Sequence, residues 1–86
     1  MAEIKIYTTK FCPYCVAAKR LLKQKDIDYN EVDVSFNSGL RQEMTKLSGG
    51  RTSVPQIFIG GQHVGGCDEL YALEQANGLD PMLNAS

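Results

Sequence analysis

Polar and apolar residues alternate at the start of the chain, and the apolar spacing then changes from that of a strand to that of a helix. Ile4 and Ile6 share one face of residues 3–8, which predicts a strand. Residues 13–25 carry apolar side chains at helical intervals among lysines and arginines, which predicts an amphipathic helix. Residues 29–34 return to period-two spacing, so the helix is expected to lead back into a strand parallel to the first.

A second helix is predicted in the middle of the chain. Ser38 is expected to cap it, and Leu40, Met44 and Leu47 fall at i, i+4 and i+7, so that they share one apolar face. Residues 48–50 contain two glycines and are expected to end this helix, because glycine readily adopts the left-handed conformation that closes a helix.

A hairpin and a third helix are predicted next. Residues 56–59 are strongly apolar, and the glycines at 60–61 predict a two-residue turn into an antiparallel strand at residues 62–64. A third helix is expected over about residues 68–77, where an Asn-Gly pair stops it. Pro81 then opens a short tail of marginal structure.

Length and charge narrow the classes of function. The 86 residues suit one domain that spans residues 1–86 in the order βαβαββα, without a linker or a repeat. Nine Lys and Arg against ten Asp and Glu give a formal net charge of −1. The sequence contains no basic run of the kind that would indicate a nucleic acid or a membrane surface as partner. The expected partners are therefore small molecules and proteins, and we expect the chain to act as a monomer.

The location of the protein is also expected from the sequence. The sequence contains no run of about eighteen apolar residues, so no membrane span is predicted. The N-terminal residues show no secretory signal pattern. The three cysteines are an odd number, which suits a reducing compartment where disulfides are transient and catalytic. A cytoplasmic protein is therefore expected.

Two cysteines with two residues between them, Cys12 and Cys15, lie where the first strand gives way to the first helix. Unpaired N–H groups at a helix start favour a thiolate, so Cys12 is the predicted nucleophile and Cys15 its resolving partner. An ordinary thiol has a pKa of ~8.5 and a helix terminus supplies at most ~2 kcal/mol, so further stabilisation of the thiolate is expected. Pro13 has no N–H and leaves that of Cys15 free to point at Cys12, and Lys10 adds a nearby positive charge.

The same cysteine spacing also suits a structural metal site. His63 and Cys67 would complete a zinc set with Cys12 and Cys15, so a zinc domain is an alternative. The proline between the paired cysteines and the amphipathic helix after them favour redox chemistry, and no metal is expected. Taken singly, Cys67 is expected to be a buried small residue and His63 a surface residue.

Three motifs occur in order along the chain: Cys12-Pro13-Tyr14-Cys15 after the first strand, Ser53-Val54-Pro55 before an apolar strand, and Gly65-Gly66-Cys67-Asp68 at the last helix. Together they resemble the glutaredoxin family, most closely its short bacterial dithiol members, over nearly the whole chain. The resemblance implies an α/β, thioredoxin-like fold whose four-stranded mixed sheet is flanked by helices. It also implies reduction of protein–glutathione mixed disulfides and protein disulfides, with glutathione as co-substrate and no tightly bound cofactor. A glutathione-assisted [2Fe–2S] cluster-binding module is the alternative.

The resemblance further implies a glutathione site. Its residues are Lys10, Tyr14, Arg41, Ser53, Val54, Pro55, Gly66, Cys67, Asp68 and Glu69. In the family's pattern, Lys10 and the residue aligned with Arg41 meet the glycine carboxylate, and Tyr14 flanks the reactive sulfur. Ser53 stands where the family usually has threonine and keeps the hydroxyl, so little change is expected.

The remaining site residues are implied to act through their backbone or their charge. A cis bond between Val54 and Pro55 would let the Val54 backbone pair with the cysteinyl unit of glutathione. The N-terminal amides of the last helix, at Cys67 and Asp68, would hold the second carboxylate of glutathione. Either Asp68 or Glu69 would meet its ammonium group, and the sequence leaves both open.

Overall fold

The computed structural model describes residues 2–84, which form a four-stranded sheet with helices packed on both of its faces. The elements are β1 (Ile4–Thr8), α1 (Pro13–Gln24), β2 (Asn30–Asp33), α2 (Ser38–Leu47), β3 (Gln56–Ile59), β4 (Gln62–Gly65), α3 (Cys67–Gln75) and α4 (Leu79–Asn84). The predicted order βαβαββα is confirmed, and one further short helix follows it. None of the helices among residues 2–84 is long and apolar enough to cross a bilayer.

The sheet is mixed, as expected for a thioredoxin-like fold. Its strand order is β2-β1-β3-β4, with β1 parallel to β2 and antiparallel to β3, and with β4 antiparallel to β3. Tyr7 near the end of β1 pairs with Gln56 at the start of β3. The loop after β1, which carries Cys12, therefore lies at the same edge of the sheet as the loop before β3, which carries Pro55.

The two faces of the sheet are covered by different helices. Successive side chains of a strand point to opposite faces, so Ile6 and Ile57 pack on one side and Tyr7 and Phe58 on the other. The first face is covered by α1, α3 and α4, through Ala18, Leu21, Leu22, Cys67, Leu70, Leu79 and Leu83. The second face is covered by α2, whose Met44 is fully buried.

The boundaries of two helices differ from those predicted. Asn37, not Ser38, caps α2, and its Oδ1 accepts the N–H of Leu40 over 3.0 Å. Two good capping residues stand side by side there, so composition alone does not choose between them. Leu47 was expected on the apolar face of α2, but it is 52% exposed in the last turn, while Met44 of the same face is fully buried. The third helix begins at Cys67, one residue earlier than expected.

The expectation of a marginal C-terminal tail is wrong. Residues Leu79–Asn84 form α4, in which Leu79 and Leu83 are buried against the first core. Pro81 lies in the first turn of this helix, where a backbone N–H has no partner within the helix. The N–H of Ala2 donates to the carbonyl of Leu83 over 2.7 Å, so the two ends of the described chain are joined.

Candidate active site

The redox pair lies at the N-terminus of α1. Cys12 caps the helix in an extended conformation, with φ −131° and ψ 101°, and Pro13 occupies the first turn. The N–H of Cys15 donates to Sγ of Cys12 over 3.1 Å, as the sequence predicted. The two sulfurs form a disulfide, in which Cys12 is 8% exposed and Cys15 only 1% exposed. Cys12 is therefore the more accessible residue of the pair.

The loop before β3 faces this pair. The Val54–Pro55 peptide bond is cis. Sγ of Cys12 lies 3.7 Å from the carbonyl oxygen of Val54, so the two motifs meet although 42 residues separate them. Gln56, at the start of β3, fixes the loop, because its Nε2 donates to both the carbonyl and the hydroxyl of Ser53.

A pocket of about 160 Å³ opens beside the cysteines. It is lined by Tyr14, Arg51, Ser53, Val54, Pro55, Gly66, Cys67, Asp68 and Glu69. The structure thus brings together the predicted glutathione residues other than Lys10 and Arg41. All three sequence motifs contribute to this one pocket.

Lys10 and Arg41 lie to the side of the pocket. Nη2 of Arg41 donates to the carbonyl of Thr52 over 2.7 Å, which places the guanidinium against the loop that carries Ser53. The N–H of Lys10 donates to Oγ of Ser35 over 2.8 Å. Neither residue lines the pocket: Arg41 lies against the loop that carries Ser53, and Nζ of Lys10 lies 5.9 Å from the centre of the Phe36 ring.

The carboxylate of Glu69 is already engaged. Its Oε1 accepts the N–H of Gly66 over 3.0 Å and lies 2.6 Å from Nη1 of Arg51. The Gly66 hydrogen bond and then the Arg51 pair lower the pKa of Glu69. Asp68, one residue earlier, is exposed at the pocket.

Arg51 is the site residue that sequence reasoning missed. A cation two residues before Ser53 was the only signal, and its partner Glu69 lies 18 residues further along the chain. Arg51 and Glu69 are 44% and 41% exposed, so the pair lies at the rim of the pocket. Together they hold the start of α3 against the loop before Pro55.

The double glycine before α3 has a steric reason. Gly65 has φ +125°, and a Cβ there would lie 2.5 Å from Oε1 of Glu69. A Cβ on Gly66 would lie 3.3 Å from the carbonyl oxygen of Pro55. Gly65 thus leaves room for the Glu69 side chain, and Gly66 lets the start of α3 lie close to the loop that carries Pro55.

Cys67 and His63 do not form a metal site with the redox pair. Across residues 2–84, no three His, Cys, Asp or Glu side chains converge on one point, so the zinc alternative is not supported. Cys67 is buried as expected, and burial, with the nearby Asp68 and Glu69, raises its thiol pKa. His63, expected at the surface, is only partly exposed, because its ring packs against Phe58 and its Nε2 lies 2.7 Å from Oε1 of Gln56.

Comparisons with known proteins agree with this geometry. A family model described as Glutaredoxin matches residues 4–64. Glutaredoxin 3 of Escherichia coli (strain K12) is 54% identical over 83 residues, which cover 96% of this chain and 99% of that protein. The solution structure of a glutaredoxin from Brucella melitensis is 53% identical with a TM-score of 0.85, and the match covers 96% of this chain and 89% of that one.

A second similar structure is that of a complex with glutathione. The crystal structure of a buckwheat glutaredoxin–glutathione complex has a TM-score of 0.89 at 26% identity, over 98% of this chain and 78% of that one. The alternative of a [2Fe–2S] module is not favoured, because the chain matches the glutaredoxin family and its Cys12 and Cys15 form a disulfide. The chain belongs to the glutaredoxin family and is a glutathione-dependent thiol–disulfide oxidoreductase.

Proposed function

We propose that Cys12 is the nucleophile of a one-thiol route on protein–glutathione mixed disulfides. The Cys12 thiolate attacks the glutathionyl sulfur, a new sulfur–sulfur bond forms, and the protein thiolate leaves. A second glutathione thiolate then attacks the glutathionyl sulfur on Cys12, which releases oxidised glutathione and the Cys12 thiolate. The observation that supports this proposal is the Cys15 N–H directed at Sγ of Cys12, the more exposed of the two sulfurs.

For a protein disulfide, we propose a second route that needs both cysteines. Cys12 attacks one sulfur of the substrate, and Cys15 then attacks Cys12, so that both electrons of the dithiol pass to the substrate. The product is the Cys12–Cys15 disulfide, the state in which the structure shows the pair. Two glutathiones reopen it and become one molecule of oxidised glutathione.

The pocket beside Cys12 is the proposed binding site of glutathione. The cysteinyl unit would lie along the backbone of Val54, and one carboxylate would accept N–H groups at the start of α3, at Cys67 and Asp68. Asp68 is the proposed partner of the ammonium group, because the carboxylate of Glu69 is held by Gly66 and Arg51.

The rest of the proposed site completes the contact with glutathione. Tyr14, Ser53, Pro55 and Gly66 supply the walls of the pocket. Lys10 and Arg41 would meet the glycine carboxylate, a role that is supported for Arg41 by its hydrogen bond to the carbonyl of Thr52, next to Ser53. The buckwheat glutaredoxin–glutathione complex, a similar structure, supports glutathione as the ligand.

We also propose that the protein acts as a monomer in the cytoplasm without a tightly bound cofactor. The reducing cytoplasm supplies the glutathione that the reaction consumes. The substrates are then glutathionylated and disulfide-containing proteins of the same compartment.

The test is turnover of the cysteine–glutathione mixed disulfide with glutathione and glutathione reductase supplied. Cys12→Ser should lose all activity, because Cys67, the other thiol at the pocket, is buried and has its pKa raised by that burial and by Asp68 and Glu69. Cys15→Ser is the matched control, which should keep turnover of the mixed disulfide and lose reduction of protein disulfides. Activity in Cys12→Ser, or equal turnover with thioredoxin reductase in place of glutathione, would contradict the proposal.

A further inference from the structure

A groove of about 870 Å³ lies on the α2 side of the proposed glutathione site. Val34, Phe36, Arg41, Thr45, Lys46 and Thr52 are among the residues that line it. The lining contains two cations and no carboxylate, although the whole chain has a net charge of −1. The groove is therefore a positive concave surface on a slightly acidic protein.

Phe36 lines this groove, but its packing in the folded protein does not explain why an aromatic residue is found there. Its side chain is 94% exposed, so it contributes almost nothing to the core. Its backbone has φ +60°, a left-handed conformation that is unfavourable for a bulky L-residue. An exposed aromatic ring in a strained backbone is typical of a residue that is kept for binding.

The groove is joined to the reaction site on two sides. Nζ of Lys10, two residues before Cys12, lies 5.9 Å from the centre of the Phe36 ring. Arg41 on the opposite wall donates to Thr52, two residues before Val54. The nearby acid Asp33 accepts the N–H of Ser35 over 2.8 Å and is not part of the groove lining. A chain bound in the groove would therefore pass close to Cys12.

We propose that the groove docks an acidic segment of the protein substrate. An apolar side chain of that segment packs on the exposed ring of Phe36, and a carboxylate of the segment pairs with Lys46, since Arg41 is assigned to glutathione. The groove volume lies in the range of about 300–1,000 Å³ that is usual for ligand sites, enough for a few side chains. This inference rests on the proposed function, since the docked protein is the one whose glutathionyl sulfur Cys12 attacks.

The test compares two glutathionylated peptides with the same central cysteine. One has Asp, Glu and Leu on both sides of it, and the other has Lys in place of each acid. At low salt the protein should show about a fivefold higher kcat/KM for the acidic peptide, the size expected when one partly exposed ion pair with Lys46 replaces a contact between like charges. The preference should shrink as salt is raised, because salt screens exposed charges.

Variants of Lys46 and Phe36 locate the effect without touching the proposed glutathione residues. Lys46→Glu should lower the acidic-over-basic ratio about threefold or more. Phe36→Asn should lower kcat/KM for both peptides through loss of the Leu contact, while asparagine tolerates the left-handed backbone. Lys23→Glu, an equal charge change on α1, and Leu47→Ala, an exposed apolar residue of α2 outside the groove, are the matched controls.

The outcomes separate this inference from the proposed function. Equal kcat/KM for both peptides, with normal turnover of the cysteine–glutathione mixed disulfide, would overturn the docking groove alone. An equal effect of Lys23→Glu and Lys46→Glu would also overturn it, because the preference would then follow net charge. Displacement of the acidic peptide by a short oligonucleotide at lower concentration than by unlabelled peptide would assign the groove to phosphates instead. Failure on the cysteine–glutathione mixed disulfide would count against the proposed function itself.

Discussion

The backbone N–H of Cys15 donates a hydrogen bond to Sγ of Cys12 over 3.1 Å. At most helix starts an oxygen of Ser, Thr, Asp or Asn accepts such a bond, and here a sulfur takes that place. The cap favours the charged form of its acceptor, because the unpaired N–H groups and the helix dipole both point toward it. The hydrogen bond that caps α1 is therefore expected to favour the thiolate that the proposed reaction of Cys12 requires.

Cys12 should ionise at lower pH than Cys67 in the reduced Cys15→Ser protein. Cys67 is the internal control, because burial and the adjacent Asp68 and Glu69 raise the pKa of its thiol. Brief alkylation by iodoacetamide at a series of pH values, read by mass spectrometry of each peptide, measures both thiols at once. Half-maximal labelling of Cys12 should fall well below the ordinary thiol value of ~8.5. Labelling of the two thiols with one common pH dependence would contradict the role of the helix start.

Asp68→Asn should raise the KM for glutathione about tenfold, as loss of a charge-assisted hydrogen bond of ~1.5 kcal/mol implies. The kcat should change little, because Asp68 does not contact the sulfur pair. Steady-state kinetics at saturating mixed disulfide measure both values. Glu69→Gln is the matched control, since the same charge is removed one residue away from a side chain already held by Gly66 and Arg51. A larger rise in KM for Glu69→Gln would reverse the assignment of the ammonium partner.

The sequence predicts the sheet, α1 and the redox pair well, and the reasons are local. Strand and helix spacing differ in period, and the polarity of a helix start acts within a few residues of Cys12. The choice of Asn37 over Ser38 as cap was beyond that reasoning, because both side chains can accept the same kind of N–H. The six residues of α4 are too few to show a helical period, so only their packing reveals the helix.

Contacts between distant residues explain what else was missed at the site. The pair of Arg51 and Glu69 exists only because α3 packs next to the loop before β3. The half-buried position of His63 follows from its pairing with Gln56 across the hairpin and from its packing on Phe58. In each case the relevant distance is set by tertiary packing, which no single segment of sequence encodes.

The free energy of unfolding should depend on pH through Glu31. Oγ1 of the buried Thr8 donates to Oε2 of Glu31 over 2.6 Å, and Nζ of Lys19 lies 2.9 Å from the same oxygen. The hydrogen bond from Thr8 and then Lys19 lower the pKa of Glu31. A lowered pKa means that folding favours the carboxylate. The stabilisation is therefore present above the unfolded pKa of ~4.3 and is lost as pH falls through the lower folded pKa.

Thr8→Val tests this coupling, because valine fills the same space without a donor. At pH 7 it should lower the free energy of unfolding by about 1 kcal/mol, as expected for a hydrogen bond to a partly exposed carboxylate. The difference should shrink below the folded pKa, where Glu31 is protonated. Urea unfolding followed by circular dichroism at pH 7 and in acid measures it. Glu43→Gln, which removes an exposed carboxylate on α2, should change stability by less than ~0.5 kcal/mol at pH 7. An equal effect of Thr8→Val on the free energy of unfolding at both pH values would contradict the prediction, because the Thr8 hydroxyl would then not act through the charge of Glu31.

The last helix should be an integral part of the core. Leu83 is 4% exposed, and its carbonyl accepts the N–H of Ala2, so α4 closes one face of the sheet and joins both ends of the described chain. Leu83→Ala should therefore lower the free energy of unfolding by about 2–4 kcal/mol through lost burial and the cavity left behind. Against the ~5–15 kcal/mol that is typical of a native protein, such a loss is large.

Leu47→Ala is the matched control for Leu83→Ala, because the same side chain is removed from a position that is 52% exposed. Its effect should stay within ~0.5 kcal/mol, as for most surface substitutions. Urea unfolding of both variants at pH 7, with an unchanged dependence on urea concentration, gives the two values on one scale. Equal small effects would mean that α4 does not contribute to the core. A large loss of stability in Leu83→Ala but not in Leu47→Ala would show that α4, which follows the last helix predicted from the sequence, is part of the hydrophobic core.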